Sequence, residues 1–146
     1  MGTVTLTFFA SAGAPVLGSQ PDHYQPGVCN IGPDEITRRR RSGHIGAIAT
    51  IVTLAILLAV NAPPLARFLV AIPAAAAAAG YLQAFFRFCI AFGSAGVFNF
   101  GRRGTLEHVA DPAARARDRL RVIQLSLAVT LIAVAVGLLA VLIPLP

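Results

Sequence analysis

Three long runs of apolar residues are the feature that most limits what this chain can fold into. Two of them lie within 42–86 and are joined by Asn61-Ala62-Pro63-Pro64, and a third, 122–146, closes the chain. The uncharged stretch 42–66 exceeds the ~20 residues needed to cross the hydrocarbon core of a bilayer. The mean hydropathy of +0.73 is high for a soluble domain. We therefore predict an all-α integral membrane protein with three transmembrane helices, at about 44–60, 65–86 and 122–143.

The segment before the first apolar run is predicted to be an irregular, extended tail. Residues 1–32 carry Gly, Pro and Ser without helical periodicity, and the alternation at 3–8 indicates at most one short extended piece. Such a segment buries too little apolar surface to offset its ordering entropy, so we expect it to be ordered by docking along other subunits. The chain then divides into the tail 1–32, a transmembrane hairpin 33–92, an interfacial loop 93–111, and a long helix with the third span, 112–146.

A helix start is predicted just before the first span. Pro33 suits the first position of a helix, and Asp34 and Glu35 follow where the helix dipole favours negative charge. Gly43 and Gly46 either end this helix or lie inside a helix that continues into the span. We favour the continuous helix, because isolated glycines are tolerated in transmembrane helices.

The second span carries three features of its own. Arg67, at its outer end, is expected to extend its guanidinium to the headgroup layer. Pro73 is expected to kink the helix. The block 74–79 consists of alanines, which let another backbone approach closely, so Ala75 and Ala78 are predicted to lie on a packing face.

The third span is predicted to belong to a long helix that begins outside the bilayer. Asp111 and Pro112 form an N-cap followed by a favourable first residue. Asp118 is expected to pair with Arg115 or Arg121 on the same helix. Small residues follow at spacings of three and four, which puts them on one face, although an alanine-rich helix can show such a stripe by chance. This predicted packing stripe consists of Ser126, Thr130, Ala133, Gly137 and Ala140.

Charge placement predicts the orientation in the membrane. All twelve basic residues are arginines against six acidic residues, and Arg67 alone falls on the far side of a three-span arrangement. By the positive-inside rule the N-terminus and the loop 87–121 are cytoplasmic and the C-terminus is outside, in a multi-pass protein of the cell inner membrane. We expect the partners to be anionic lipid headgroups and other membrane subunits rather than nucleic acid. The predicted headgroup contacts are Arg38, Arg39, Arg40, Arg41, Arg87, Arg102 and Arg103.

Two cysteines and one histidine are the candidate chemical groups. The hairpin returns Cys89 to the side of Cys29, where a disulfide, a metal clip or a persulfide relay can be formed, and neighbouring arginines would lower the thiol pKa values. The alternative is a pair of unreactive small residues in a reducing compartment. His44 is a weak candidate for axial ligation of a haem or chlorophyll; otherwise it is an ordinary interfacial histidine. No catalytic or metal-binding motif is found, and we predict no cofactor.

Part of the sequence resembles a known family. Cys29-Asn30-Ile31-Gly32, an acidic residue followed by Arg-Arg, a glycine at the first span, a short hairpin and Phe88-Cys89 are similar to the small two-helix transmembrane domain found alone or fused to rhodanese sulfurtransferases. The resemblance covers about 29–92 and implies a membrane hairpin. The chain differs by Ile90, where proline is common, by the third span and by the tail. It contains no rhodanese domain, so the resemblance implies no sulfurtransferase activity.

These observations favour a structural role. Carboxylates are absent from the predicted spans, which argues against ion or proton transport by this chain alone. We predict a non-catalytic accessory subunit of a larger bacterial membrane complex, namely a respiratory or photosynthetic electron-transfer complex. The alternative is a membrane redox or sulfur-handling protein that uses Cys29 and Cys89, and a third hypothesis is lipid binding through 87–121.

Overall fold

The computed structural model describes residues 23–101 and 105–144. The predicted extended piece at 3–8 and most of the predicted tail lie outside the described residues. The elements are α1 (Pro33–Ala59), α2 (Pro64–Arg67), a 3₁₀ turn (Phe68–Val70), α3 (Ala71–Phe85), α4 (Ile90–Ala95), β1 (Val97–Phe98), β2 (Glu107–His108) and α5 (Pro112–Leu142).

Three helical segments are long and apolar enough to cross a membrane, which confirms the prediction of a helical membrane protein at this level. They are Pro33–Ala59, Pro64–Phe85 and Pro112–Leu142. The first helix runs without a break through Gly43 and Gly46, as the favoured alternative predicted. The ends of the three segments fall within about two residues of the expected span ends at 60, 65, 86 and 143.

The second segment changes its helical winding near its start. The 3₁₀ turn Phe68–Val70 separates α2 from α3 and lies just before Pro73. Pro73 has no N–H to donate to the carbonyl four residues earlier, that of Leu69, so a regular α-helical turn loses a hydrogen bond there. The structure therefore shows a tightened turn ahead of the proline, and the expected kink at Pro73 itself stays a prediction.

Helices α1 and α3 approach each other closely through their glycines. A Cβ placed on Gly46 would lie 2.8 Å from the Cα of Ala77, and one on Gly80 would lie 2.6 Å from the Cα of Gly43. Ordinary carbon contacts are about 3.5–4.0 Å, so only glycine fits at these crossing points. Close backbone approach at small residues is the usual way in which helices pack inside a bilayer.

Helix α5 packs on the other flank of the second segment. Gly137 lies against the Phe68 ring, where an added Cβ would be 2.8 Å from the nearest ring carbon. Among the stripe residues, Ala133, Gly137 and Ala140 are buried, whereas Ser126 is half-buried and Thr130 is exposed. Because α1 and α5 make little direct contact, the second segment lies between them and the three helices form a layer.

The arginine-rich end of this layer, formed by the start of α1, the end of α3 and the start of α5, carries a small folded cap. The expected loop 93–111 instead contains the end of α4 and an antiparallel pair of strands, with Val97 opposite His108. The segment 23–31 joins this cap: Gly32 N–H donates to Asn99 O at 2.8 Å, and Asn99 N–H donates to Asn30 O at 3.0 Å. The last part of the predicted tail is therefore packed against the chain's own residues.

The expected pairing of Asp118 with Arg115 or Arg121 is wrong. Asp118 is fully buried, and its two carboxylate oxygens accept hydrogen bonds from Tyr24 Oη and from Gly27 N–H, each at 2.7 Å. Its position on α5 turns it toward the segment 23–31 instead of toward its own helix surface. Burial and the hydrogen bond to Asp118 raise the pKa of Tyr24 well above its ordinary range.

The expected extension of Arg67 to the headgroup layer is also wrong. The side chain is 4% exposed; Nε donates to Ala62 O at 2.9 Å and Nη1 donates to Ile143 O at 2.6 Å. Ile143 is the C-cap of α5, and Ala62 lies in the turn between α1 and α2. Arg67 therefore joins the turn after α1 to the end of α5.

Candidate functional site

A continuous apolar groove runs along one face of the three-helix layer. Its floor consists of alanines of α3, and its walls come from α1 on one side and α5 on the other. The cavity nearer the arginine-rich end has a volume of about 420 Å³. Among the residues that line it are Ala47, Ala74, Ala77, Ala78 and Val136.

The groove continues toward the opposite end of the layer. A second cavity of about 370 Å³ shares Thr50, Ile51 and Val136 with the first and reaches Ile143. From Val70 at the end of the 3₁₀ turn to Leu82 in α3, the floor is about 18 Å long at 1.5 Å per residue. The groove therefore has the length of about three turns of helix and a lining that is almost wholly apolar.

The predicted packing residues on α3 lie at different depths. Ala78 is buried on the groove floor, and Ala75 is half-buried and is not part of the lining of either cavity. Bulky side chains of α1 that line neither cavity stand exposed, with Ile45 69% and Ile48 63% exposed. Small residues thus lie where the groove is deep, and large residues lie on the surfaces of α1.

His44 lies beside the groove mouth at the arginine-rich end. Its Nδ1 is 2.7 Å from Tyr81 Oη, and the two rings meet edge to face with centroids 5.3 Å apart. Tyr81 itself lines the first cavity. This hydrogen bond joins α1 to α3, so His44 takes part in the packing of these two helices. Its ligation of a haem or chlorophyll stays a prediction.

The two cysteines lie on neighbouring chain segments held together by Asn30. The Asn30 side chain accepts from Cys89 N–H at 2.6 Å and donates to Cys89 O at 3.0 Å. Both thiols are free, and Cys29 and Cys89 are 1% and 0% exposed. The prediction that the hairpin returns Cys89 to the side of Cys29 agrees with this arrangement, and Asn30 is the connecting residue that the sequence reasoning missed.

The surroundings of the two sulfur atoms differ. Arg39 Nη2 donates to Cys89 Sγ at 2.9 Å and lies 3.8 Å from Glu35 Oε2. The Cys29 thiol donates to His23 O at 3.5 Å, and burial raises its pKa. The expected lowering of the Cys29 pKa by arginines is therefore wrong, because desolvation of the charged form outweighs the attraction of Arg87.

The predicted headgroup arginines are distributed over several environments. Arg38, Arg40 and Arg41 are exposed on α1, whereas Arg39 and Arg87 are half-buried. Arg38 lies 3.3 Å from the buried carboxylate of Glu35, which was expected only to favour the helix start. Arg102 and Arg103 lie outside the described residues.

The residues that sequence reasoning missed are polar groups with distant partners. The sequence around Tyr24, Asn30 and Gln83 gives little indication of the contacts that they make. Gln83 is one of the few polar residues in the second span, and its side chain accepts from Ile90 N–H at 3.1 Å. Within 23–101 and 105–144, no cluster of three or more His, Cys, Asp or Glu side chains suited to a metal is present. No family model, no characterised protein and no solved structure matches this chain.

Proposed function

We propose that this chain is a non-catalytic accessory subunit of a larger membrane assembly and that it binds a transmembrane helix of a partner subunit in the groove between α1 and α5. The observation that carries the proposal is the alanine floor of the groove, Ala74, Ala77 and Ala78. Alanines offer lipid little apolar surface, but they allow a helix backbone to approach closely.

The dimensions of the groove support a helix as its occupant. An α-helix packs against another at 8–10 Å between axes, and the distance is shortest where the contacting side chains are small. A helix lying over α3 would contact α1 and α5 on its two sides and would complete a four-helix arrangement. The floor of about 18 Å would accommodate about twelve residues of such a helix.

Matched substitutions on α1 test the proposal. Ala47 lines the groove, whereas Ala55 is exposed and does not line either cavity. Ala47→Phe is expected to fill the groove and to release the partner during purification of the tagged full chain in mild detergent. Ala55→Phe is expected to leave the assembly intact.

A photo-crosslinking residue in place of Ile51, which lines both cavities, identifies the occupant. The expected product is a crosslink to an apolar membrane-spanning segment of a different polypeptide, lost in Ala47→Phe. A crosslinked species of twice 15.2 kDa would identify a second copy instead, and a lipid adduct would identify lipid; either result contradicts the proposal. The identity of the partner also tests the expected respiratory or photosynthetic context. A reporter fused after the last residue tests the orientation in the membrane, since a cytoplasmic arginine-rich end requires the reporter to lie outside.

The alternative, a redox or sulfur-handling function, is favoured by the contact of Arg39 with the Cys89 sulfur, since a guanidinium stabilises a thiolate. Both sulfur atoms are buried, so this function requires the cap to open. Alkylation of the folded chain in its membrane tests it: reaction of Cys89 that is faster than in an Arg39→Gln variant supports the alternative. Absence of reaction at both cysteines rejects it.

A further inference from the structure

The surface of α5 at the arginine-rich end carries a cleft that differs in chemistry from the apolar groove. It lies between the turn at Pro26 and Gly27 and one flank of α5, and its volume is about 270 Å³. The α5 side chains that line it are Arg117, Leu120, Arg121 and Gln124. Two guanidinium-bearing residues, one amide and one leucine thus face the same space.

The two arginines of the cleft have no carboxylate partner within the described ranges. The ion pairs present there join Glu35 to Arg38 and Arg39. Asp118 is the nearest acidic residue in the sequence, but it is fully buried and accepts from Tyr24 and Gly27. Like charges four residues apart on a helix repel each other, so an anion between Arg117 and Arg121 would stabilise this turn of α5.

Arg121 is held in position before any ligand arrives. Its guanidinium carbon lies 4.5 Å from the centre of the Phe86 ring, and Nη1 donates to Gln124 Oε1 at 3.3 Å. A planar guanidinium stacked on an aromatic ring loses less conformational freedom when it binds a phosphate than a free side chain does. The cleft therefore contains one ordered and one exposed arginine.

The cleft is at the level where the helix passes from polar to apolar sequence. The continuous apolar part of α5 begins at Val122, one residue after Arg121. Below the cleft, on the face that carries Leu120, leucines stand exposed to the surroundings in a row along the helix. Their exposed fractions are 63% for Leu120, 58% for Leu127, 69% for Leu131 and 52% for Leu138.

We propose that this cleft is a binding site for an anionic phospholipid, with the phosphate between Arg117 and Arg121 and an acyl chain along the exposed leucines of α5. The positive charge selects an anionic headgroup, and the adjoining apolar row selects a lipid over a free anion. Phosphate contacts by two arginines and by the Gln124 amide give the site a fixed position on the helix. The inference is independent of the helix-binding groove, because the cleft shares no lining residue with it.

The test uses the full chain in detergent and follows its thermal unfolding by circular dichroism while a ligand is titrated. Short-chain phosphatidylglycerol is expected to raise the midpoint temperature in a saturable manner, because a ligand of the folded state stabilises it. Short-chain phosphatidylcholine and inorganic phosphate are expected to have no such effect. An equal rise with phosphatidylcholine would show that acyl chains alone bind, and an equal rise with inorganic phosphate would show a free-anion site; both overturn the proposal.

Charge-matched variants locate the site. Arg117→Gln with Arg121→Gln is expected to raise the half-saturating concentration of phosphatidylglycerol about thirtyfold, since each arginine near a membrane surface contributes about fivefold. Arg40→Gln with Arg41→Gln removes the same charge from α1, and salt screening limits its effect to about threefold. Equal losses in the two double variants would show that overall charge is responsible and would overturn the proposal.

A milder variant covers the case in which the double variant does not fold. Arg117 is exposed, so Arg117→Gln alone should fold and should bind phosphatidylglycerol about fivefold more weakly. Unchanged binding in this variant contradicts the site. The comparison of the three ligands on the unmodified chain needs no substitution.

Discussion

Replacing Gly80 by alanine is expected to force α1 and α3 apart. A Cβ at Gly80 would lie 2.6 Å from the Cα of Gly43 and 2.8 Å from the carbonyl oxygen of Arg39. Carbon atoms in ordinary contact are about 3.5–4.0 Å apart, so the helices would have to separate by about 1 Å. The obstructing atoms belong to the backbone, and a change of rotamer cannot relieve the overlap.

The expected cost follows from two opposing effects. Overpacking of a close contact costs about 1–3 kcal/mol. Alanine is favoured over glycine in a helix by about 1 kcal/mol, which offsets part of that cost. We expect Gly80→Ala to lower the free energy of unfolding by up to about 2 kcal/mol, whereas the same change at an uncrowded helical position would raise it by about 1 kcal/mol.

Equilibrium unfolding in mixed micelles with increasing sodium dodecyl sulfate, followed by far-UV circular dichroism, measures this change. Gly137→Ala is a matched control, because the nearest atoms to its added Cβ are ring carbons of Phe68, a side chain that can move. The control is expected to lose less stability than Gly80→Ala. A Gly80→Ala protein that is more stable than the unmodified chain would show that α1 and α3 do not approach as closely as described.

Four further substitutions, at three positions, test the buried polar groups. Asp118→Asn should cost about 1.5–3 kcal/mol of unfolding free energy in the same assay, because the acceptor of two hydrogen bonds loses its negative charge. A variant with unchanged stability would contradict the contact with Tyr24. Arg67→Met should cost about 1–3 kcal/mol because the carbonyls of Ala62 and Ile143 lose their hydrogen-bond donor, and Arg67→Lys should recover only part of this loss. Full stability of the methionine variant would refute the burial of the guanidinium. In a Cys89→Ser background, Cys29 should be alkylated more slowly than a free thiol. Because burial raises the pKa of Cys29, its alkylation rate should increase only above the ordinary thiol pKa of about 8.5. The raised pKa also means that the contribution of Cys29 to stability is present below pH about 8.5 and is lost as the pH rises further. A rate equal to that of a free thiol at pH 7 would exclude the buried position.

The three spans could be predicted because their signals lie in consecutive residues. Hydropathy over about 20 residues identifies a membrane helix without any knowledge of its neighbours. The continuity of α1 through Gly43 and Gly46 followed from the tolerance of membrane helices for glycine. What the sequence did not reveal was the structural role of those glycines, because Gly43 meets Gly80, and Gly46 meets Ala77, only after the hairpin has closed.

The polar contacts at the two ends of the layer could not be predicted by the same reasoning. Tyr24 and Asp118 are 94 residues apart, and Arg67 and Ile143 are 76 apart. Charge reasoning along one helix assigned Asp118 to its neighbouring arginines and assigned Arg67 to the headgroup layer, since both choices are the most favourable ones for an isolated helix. A signal was nevertheless present: Asp118 is the sole carboxylate among four arginines at 115–121, an unusual place for an acidic residue.

The position of Arg67 has a consequence for the order in which the chain is assembled in the membrane. One of its two acceptors, the carbonyl of Ile143, is supplied by the last turns of the chain. While only the first two spans have been inserted, this guanidinium lacks that partner and must find water or lipid phosphate at the membrane surface. When α5 docks, the Arg67 guanidinium exchanges solvent for the Ile143 carbonyl. This hydrogen bond joins the end of α5 to the turn after α1.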